Sequence, residues 1–361
     1  MVRVSAAILA LAFFGTGMSG QKHDYRASVI ARAQVWKATD IPSIDFKAGP
    51  QLDQHTPATG ESIECTHVKK KMTGNTPKFA CAPAGGHELK VKYGGDNGEV
   101  YAEVLGTRLL WGLGFGADRM YSVRIVCHDC PKTLNGMTSG PDKQVFDPTA
   151  IEHKMSGAPF RPDEGWTWEE LEWVSEEAGG ATRAQVDALK LLAVFMQHTD
   201  TKREQQRLIC REESKHEAAE EQKDMKGPMP CAQPFMYIND LGMTFGRANR
   251  GNGNRTGSTN LSEWARTPVW KDGAACVGNL PKSATGTLDD PVISEDGRRF
   301  LADLLVQLSD QQIRDLFDSA RVTLRVRDPH EPRSGLPTVD EWVDAFKQKR
   351  DQIVNRACSS T

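Results

Sequence analysis

The chain has 361 residues, of which 39% are hydrophobic and 26% charged, enough for about two domains at roughly 150 residues each. That composition excludes wholesale disorder, a collagen-like chain and a polytopic membrane protein. The formal net charge of −3 lacks the basic excess with which nucleic-acid binders release counterions, so no nucleic acid is expected as partner.

Residues 1–20 run from Arg3 through an apolar stretch, Val4 to Phe14, into the small residues Gly15 to Gly20. This is the layout of a secretory signal peptide. The apolar run is shorter than the roughly 20 residues that span a bilayer, so no stable membrane span is expected after cleavage. The expected location is periplasmic or extracellular. Eight cysteines, none of them in the leader, agree with an oxidising compartment. Structural disulfides are the first reading and their connectivity stays open. Cys127 and Cys130 also carry the spacing of a redox motif or of half a zinc site.

Residues 21–60 are polar with weak periodicity and read as an extended lead-in. Short apolar runs at Ile63–Cys65, Lys78–Cys81 and Leu89–Tyr93, punctuated by Gly and Pro, predict a small antiparallel sheet. Helical spacing takes over from Glu99 to Leu113, with Gly114 as the stop, and Met120–Cys127 alternates like a further strand. The first unit is thus expected over 61–130.

The remainder, 131–361, is expected to be mainly helical. Trp166–Glu177 reads as a helix whose Trp166, Trp168 and Trp173 belong to the core. Thr182 to Gln185 has capping-box spacing and opens a strong helix with Val186, Leu189, Leu192 and Met196 inward. Residues 211–227 are densely charged, Phe235–Ile238 is a short strand, and Gly246–Ser262 is a Gly- and Asn-rich loop with Arg247, Arg250 and Arg255. Helices follow at Gly297–Leu308, at Asp310–Ala320 and from Thr338 onward. Strands with one helix followed by helices make an α+β fold, expected as two lobes with a cleft between them.

Three segments carry chemistry. In His198-Thr199-Asp200-Thr201-Lys202, where a helix yields to a loop, an Asp can accept a proton from a hydroxyl and a nearby Lys can reach the transferred anion. Asp240 leaves the Tyr237-Ile238 strand ahead of Leu241-Gly242, placed to offer a hard cation an oxygen ligand. Lys90 and Lys92 share one face of a strand, and Glu103 lies one turn into the next helix, so an ion pair can present either Lys to phosphate.

The order strand Lys, helix Glu, His-x-Asp-x-Lys loop and Asp-x-Gly resembles the protein-kinase-like superfamily over residues 60–325. Its atypical branches are the nearest in layout: HipA-type, secretory-pathway and phosphatidylinositol kinases. Glu103 to Gly114 reproduces a HipA-type interval. The resemblance implies ATP and magnesium as cofactors and a protein or small-molecule hydroxyl as acceptor. It implies that Lys92, or alternatively Lys90, contacts the nucleotide phosphates and that Glu103 holds that Lys. Asp200 would orient or deprotonate the acceptor within a catalytic-type loop, 198–206, and Lys202 would offset charge. Asp240 would bind magnesium from a loop at 239–246. Gln205 stands where the family carries Asn and offers the same carbonyl oxygen as second metal ligand. Gly74 to Lys78 lies where a phosphate-covering loop belongs, without the family's glycine pattern. A pseudokinase-like binding or scaffold protein of the envelope, and a disulfide-stapled thiol-exchange protein, are the alternatives.

Overall fold

The computed structural model describes residues 25–53, 55–74, 76–130, 143–160, 165–211, 231, 233–249, 256–273, 275–326 and 335–359. The expected signal peptide, most of the charged 211–227 stretch, Arg250 and Arg255 lie outside them.

Alternation of apolar and polar residues produces the first sheet. β1 (Ser62–Val68), β2 (Lys78–Ala82), β3 (Leu89–Tyr93), β5 (Arg119–His128) and β6 (Lys143–His153) close into a barrel of order β1-β2-β3-β6-β5. All its pairings are antiparallel except β1 with β5. Inside are Phe79, Leu89, Val91, Tyr121, Val123, Ile125 and Ile151 with Cys65, Cys81 and Cys127. Because successive strand residues face opposite ways, burying Leu89 and Val91 turns Lys90 and Lys92 to the outside of the barrel.

The barrel includes a strand beyond the 61–130 segment. β6 begins at Lys143 and pairs with both β3 and β5. Pro148 within it lacks a ladder donor, which weakens the strand signal of this segment.

A second sheet has the order β4-β9-β8-β7, from β4 (Gly116–Ala117), β7 (Ala158–Pro159), β8 (Gln206–Cys210) and β9 (Pro234–Ile238). Around it lie α2 (Glu99–Gly112), α3 (Arg183–Met196), α4 (Leu261–Arg266), α5 (Glu295–Leu305), α6 (Asp310–Ser319) and α7 (Val339–Val354). Capping boxes start α3 at Thr182, α6 at Ser309 and α7 at Thr338. Val100, Val104 and Leu105 of α2 join Leu189, Leu192 and Phe195 of α3 in the larger core. The fold is α+β, and among the described residues no helix is long and apolar enough to cross a membrane.

Two local expectations are corrected. The lead-in is not extended throughout: residues 25–31 form a helix, α1, and Val29, Ile30, Val35 and Phe46 enter the larger core. Trp166–Glu177 is not one α-helix but a 3-10 helix, Trp168–Trp173, after which Val174 is extended. Tertiary pairing explains the break, since Ser175 donates to Ala31 O at 2.9 Å and Ala181 to Ala33 O at 2.9 Å. Trp166 and Trp168 are buried, whereas Trp173 is exposed.

The cysteines pair as Cys65–Cys81, Cys127–Cys130, Cys210–Cys231 and Cys276–Cys358. The third joins Cys210, the last residue of β8, to Cys231, shortly before β9.

Candidate active site

Site geometry starts with α2. Glu99 and Glu103 are four residues apart and therefore share a helix face, the one turned to Lys92. Lys92 donates to Glu103 Oε1 and to Glu99 Oε2 at 3.1 Å, and Asp240 Oδ2 lies 3.6 Å from its ammonium. Lys92 and Glu103 are each 1% exposed.

Two glycines let the Asp240 segment come this close. A Cβ at Gly106, on the same face of α2, would stand 2.9 Å from Leu241 Cβ, and one at Gly242 would stand 2.7 Å from Glu99 Cγ. Only Gly permits such approach. The Leu241 amide then donates to Glu103 Oε2 at 3.2 Å, and the Gly242 amide to Asp240 Oδ1 at 3.1 Å.

The electrostatics follow from one ammonium among three acids. Burial alone would lower Lys92, but Asp240, Glu103 and Glu99 raise it well above its ordinary value, so it stays charged. Burial pushes Glu103 up to about 8, with Lys92 opposing and Asp240 adding to the shift. Burial also acts upward on Asp240, yet Lys92, Lys90 and the Gly242 amide outweigh it and hold that carboxyl well below the usual range. Carboxylate oxygens of Glu99, Glu103 and Asp240 all lie within 4.8 Å of one another. Asn239 Oδ1, on the residue before Asp240, is buried without a hydrogen-bond partner. Oxygen donors of this kind suit a hard divalent cation.

Lys90 goes elsewhere. It pairs with Glu152, its cross-strand partner on β6, so Lys92 rather than Lys90 is the strand Lys in contact with Glu103. Among the residues flanking this cluster, sequence reasoning missed Glu99, whose signal was its helical spacing from Glu103, and Asn239.

Asp200 occupies the loop after α3, where its Oδ2 accepts from Lys202 Nζ at 2.8 Å and from Gln205 Nε2 at 2.6 Å. Gln205 thus meets Asp200 through its amide nitrogen, whereas metal ligation would use its carbonyl oxygen. This loop is tied to the Asp240 segment at both ends. Thr199 donates to Met243 O at 3.1 Å, the Asn239 amide donates to Gln205 O at 2.9 Å, and Gln206 pairs with Ile238 across β8 and β9. Arg247, beyond Asp240, is exposed.

His198 sits under both loops, fully buried and tilted against Trp168 with ring centroids 6.2 Å apart. Neither ring nitrogen has a partner. Burial holds its pKa down from 6.5 to about 4, with Asp200 and Asp240 pulling the other way. Folded His198 therefore stays neutral where the unfolded chain takes up a proton. Its contribution to stability is complete above pH 6.5 and is lost as the pH falls towards 4, in all about 3 kcal/mol. In urea titrations at pH 7 and pH 4.5, His198→Phe is expected to lose less stability than the unsubstituted protein. Equal losses would mean that His198 is not the group that titrates.

No protein-family model matches the chain, and no curated protein matches it. Among solved structures, that of a Helicobacter pylori proinflammatory kinase, CtkA, is similar over 82% of this chain and 95% of that chain. The TM-score is 0.41 and the identity 9%. A likeness at that level leaves the functional reading to the side chains themselves.

Proposed function

We propose that the protein is an exported kinase-like phosphotransferase with two lobes, which binds ATP and magnesium in the cleft between them and passes a phosphoryl group to a hydroxyl of a protein or small molecule. The observation that carries this reading is the meeting of Lys92 and Glu103 with Asp240, which is distant from both in sequence, beside the loop that bears Asp200. Lys92, held by Glu99 and Glu103, faces the phosphates. Asp240, with the carbonyl oxygen of Gln205, would hold magnesium, which when bound neutralises charge on the phosphate oxygens. Asp200 orients the acceptor hydroxyl and takes its proton, and Lys202 offsets charge on the transferred group. The four disulfides suit an oxidising compartment.

A second reading, a pseudokinase-like binding protein, draws support from one contact: the Gln205 amide and Lys202 both occupy Asp200 Oδ2. Thiol exchange has less behind it, because Cys127 and Cys130 are both fully buried and exchange needs an accessible sulfur.

A thermal-shift titration with ATP and magnesium, on protein with its disulfides intact, tests the binding that both kinase-like readings share. A ligand at a hundred times its Kd adds about 2.7 kcal/mol, which raises the Tm by several degrees. In Asp240→Ala the magnesium-dependent part of that rise is expected to disappear. No shift in the unsubstituted protein would overturn both kinase-like readings.

A further inference from the structure

Lys78 opens β2 and lies directly opposite Lys92 of β3 in the antiparallel pair. Like charges opposite one another weaken a ladder. Around this site the other lysines have acidic partners: Lys92 has its three carboxylates, Lys90 has Glu152 and Lys202 has Asp200. Lys78 is only 9% exposed, and its ammonium has no hydrogen bond or ion pair among the described residues. Burial first, then Lys92 and Lys90, hold its ammonium below the ordinary value, with Glu99 and Asp240 offsetting part of this. An unpaired ammonium in such a place costs the fold stability.

The chain also brings backbone over this ammonium. A Cβ at Gly74 would stand 3.1 Å from Lys78 Nζ. Thr76 Oγ1 donates to Glu99 Oε1 at 2.5 Å, so the segment entering β2 rests on Lys78 and on the first turn of α2 together.

We propose that Lys78 binds the anionic oxygens of a metal-complexed polyphosphate, as a second cation beside Lys92, which its three carboxylates hold in place. For the nucleotide as the source of that polyphosphate, the proposal rests on the ATP-binding reading above. A bare anion is a poor occupant, because Glu99, Glu103 and Asp240 repel it. A magnesium–polyphosphate complex satisfies both halves of the site, offering its cation to Asp240, whose side chain is 23% exposed, and its oxygens to Lys78. Lys78 therefore makes the site prefer a charged phosphate chain over an uncharged ligand.

The experiment compares the full chain with Lys78→Met by calorimetric titration, using magnesium tripolyphosphate and, separately, magnesium ATP. The loss of a charge-assisted hydrogen bond predicts roughly 10- to 100-fold weaker binding of both by Lys78→Met. With a like charge removed, the unliganded variant is expected to melt at or above the temperature of the unsubstituted protein. Lys78→Arg, which keeps the charge, is expected to retain most of the affinity, and Lys78→Gln serves the same comparison if methionine perturbs the strand. Unchanged ATP and tripolyphosphate affinities in Lys78→Met overturn the assignment and leave the nucleotide reading standing. Tripolyphosphate binding that needs Lys78, with ATP bound no more tightly, supports Lys78 and counts against a nucleotide. Binding of neither ligand by the unsubstituted protein overturns both.

Discussion

Lys92→Met is expected to destabilise the unliganded protein by about 3–5 kcal/mol, the cost of leaving a buried charge without its partner, read as a shift of the urea midpoint. The substitution keeps most of the side-chain volume, so packing is not what fails. What fails is the cluster: Glu99, Glu103 and Asp240, within 4.8 Å of one another, lose the ammonium that sits among them. The acids can take up protons to relieve their repulsion. Without the ammonium, Glu103, already pushed up to about 8 by burial, and Asp240 are no longer held down by Lys92, and the variant loses more stability than the parent as the pH is raised. The gap from the unsubstituted protein is therefore expected to widen from pH 5 to pH 8. Millimolar magnesium, which substitutes one cation for another, is expected to restore more stability to the variant than it adds to the parent. Lys78→Met is expected to shift the midpoint the opposite way, although the two lysines face each other across one ladder. A Lys92→Met midpoint equal to that of the unsubstituted protein would mean that another group neutralises the acids.

The parts of this site visible in the sequence are those set by short-range periodicity. Leu89 and Val91 alternate with Lys90 and Lys92, which fixes the strand and the face of its lysines, and Glu103 falls on the apolar-patterned helix that follows. Thr182, Ser309 and Thr338 announce their helices because a cap is a contact between residues three apart. Long-range pairing decided the rest. Nothing near Ser62–Val68 encodes its parallel pairing with Arg119–His128, and Pro148 hides the strand that closes the barrel. The choice between Lys90 and Lys92 turned on Glu152, which lies on that hidden strand. Lys78 was legible as a strand residue, but its opposition to Lys92 depends on the register of the hairpin. The short helix at 25–31 shows little periodicity, and its apolar residues count only once the larger core they enter is known.

Asp200→Asn is expected to lower phosphoryl transfer roughly 10²- to 10⁴-fold, the usual worth of a positioned general base, while magnesium–ATP affinity changes little. The amide keeps the carboxylate's shape and an oxygen to accept from Lys202 or Gln205, and the Asp200 side chain is 20% exposed. Stability should accordingly stay near that of the parent, so that a lost rate is not lost fold. Single-turnover transfer from labelled ATP to a generic protein acceptor, together with the thermal shift, separates the two quantities. Transfer that survives in Asp200→Asn would remove Asp200 from catalysis. The same assay applied to Gln205→Asn addresses the binding-protein reading, since shortening that side chain withdraws its amide from Asp200 Oδ2. If the parent binds ATP without transferring phosphate and Gln205→Asn gains transfer, the fault lies in that one hydrogen bond. If both transfer, Gln205 is compatible with a working site and the phosphotransferase reading stands.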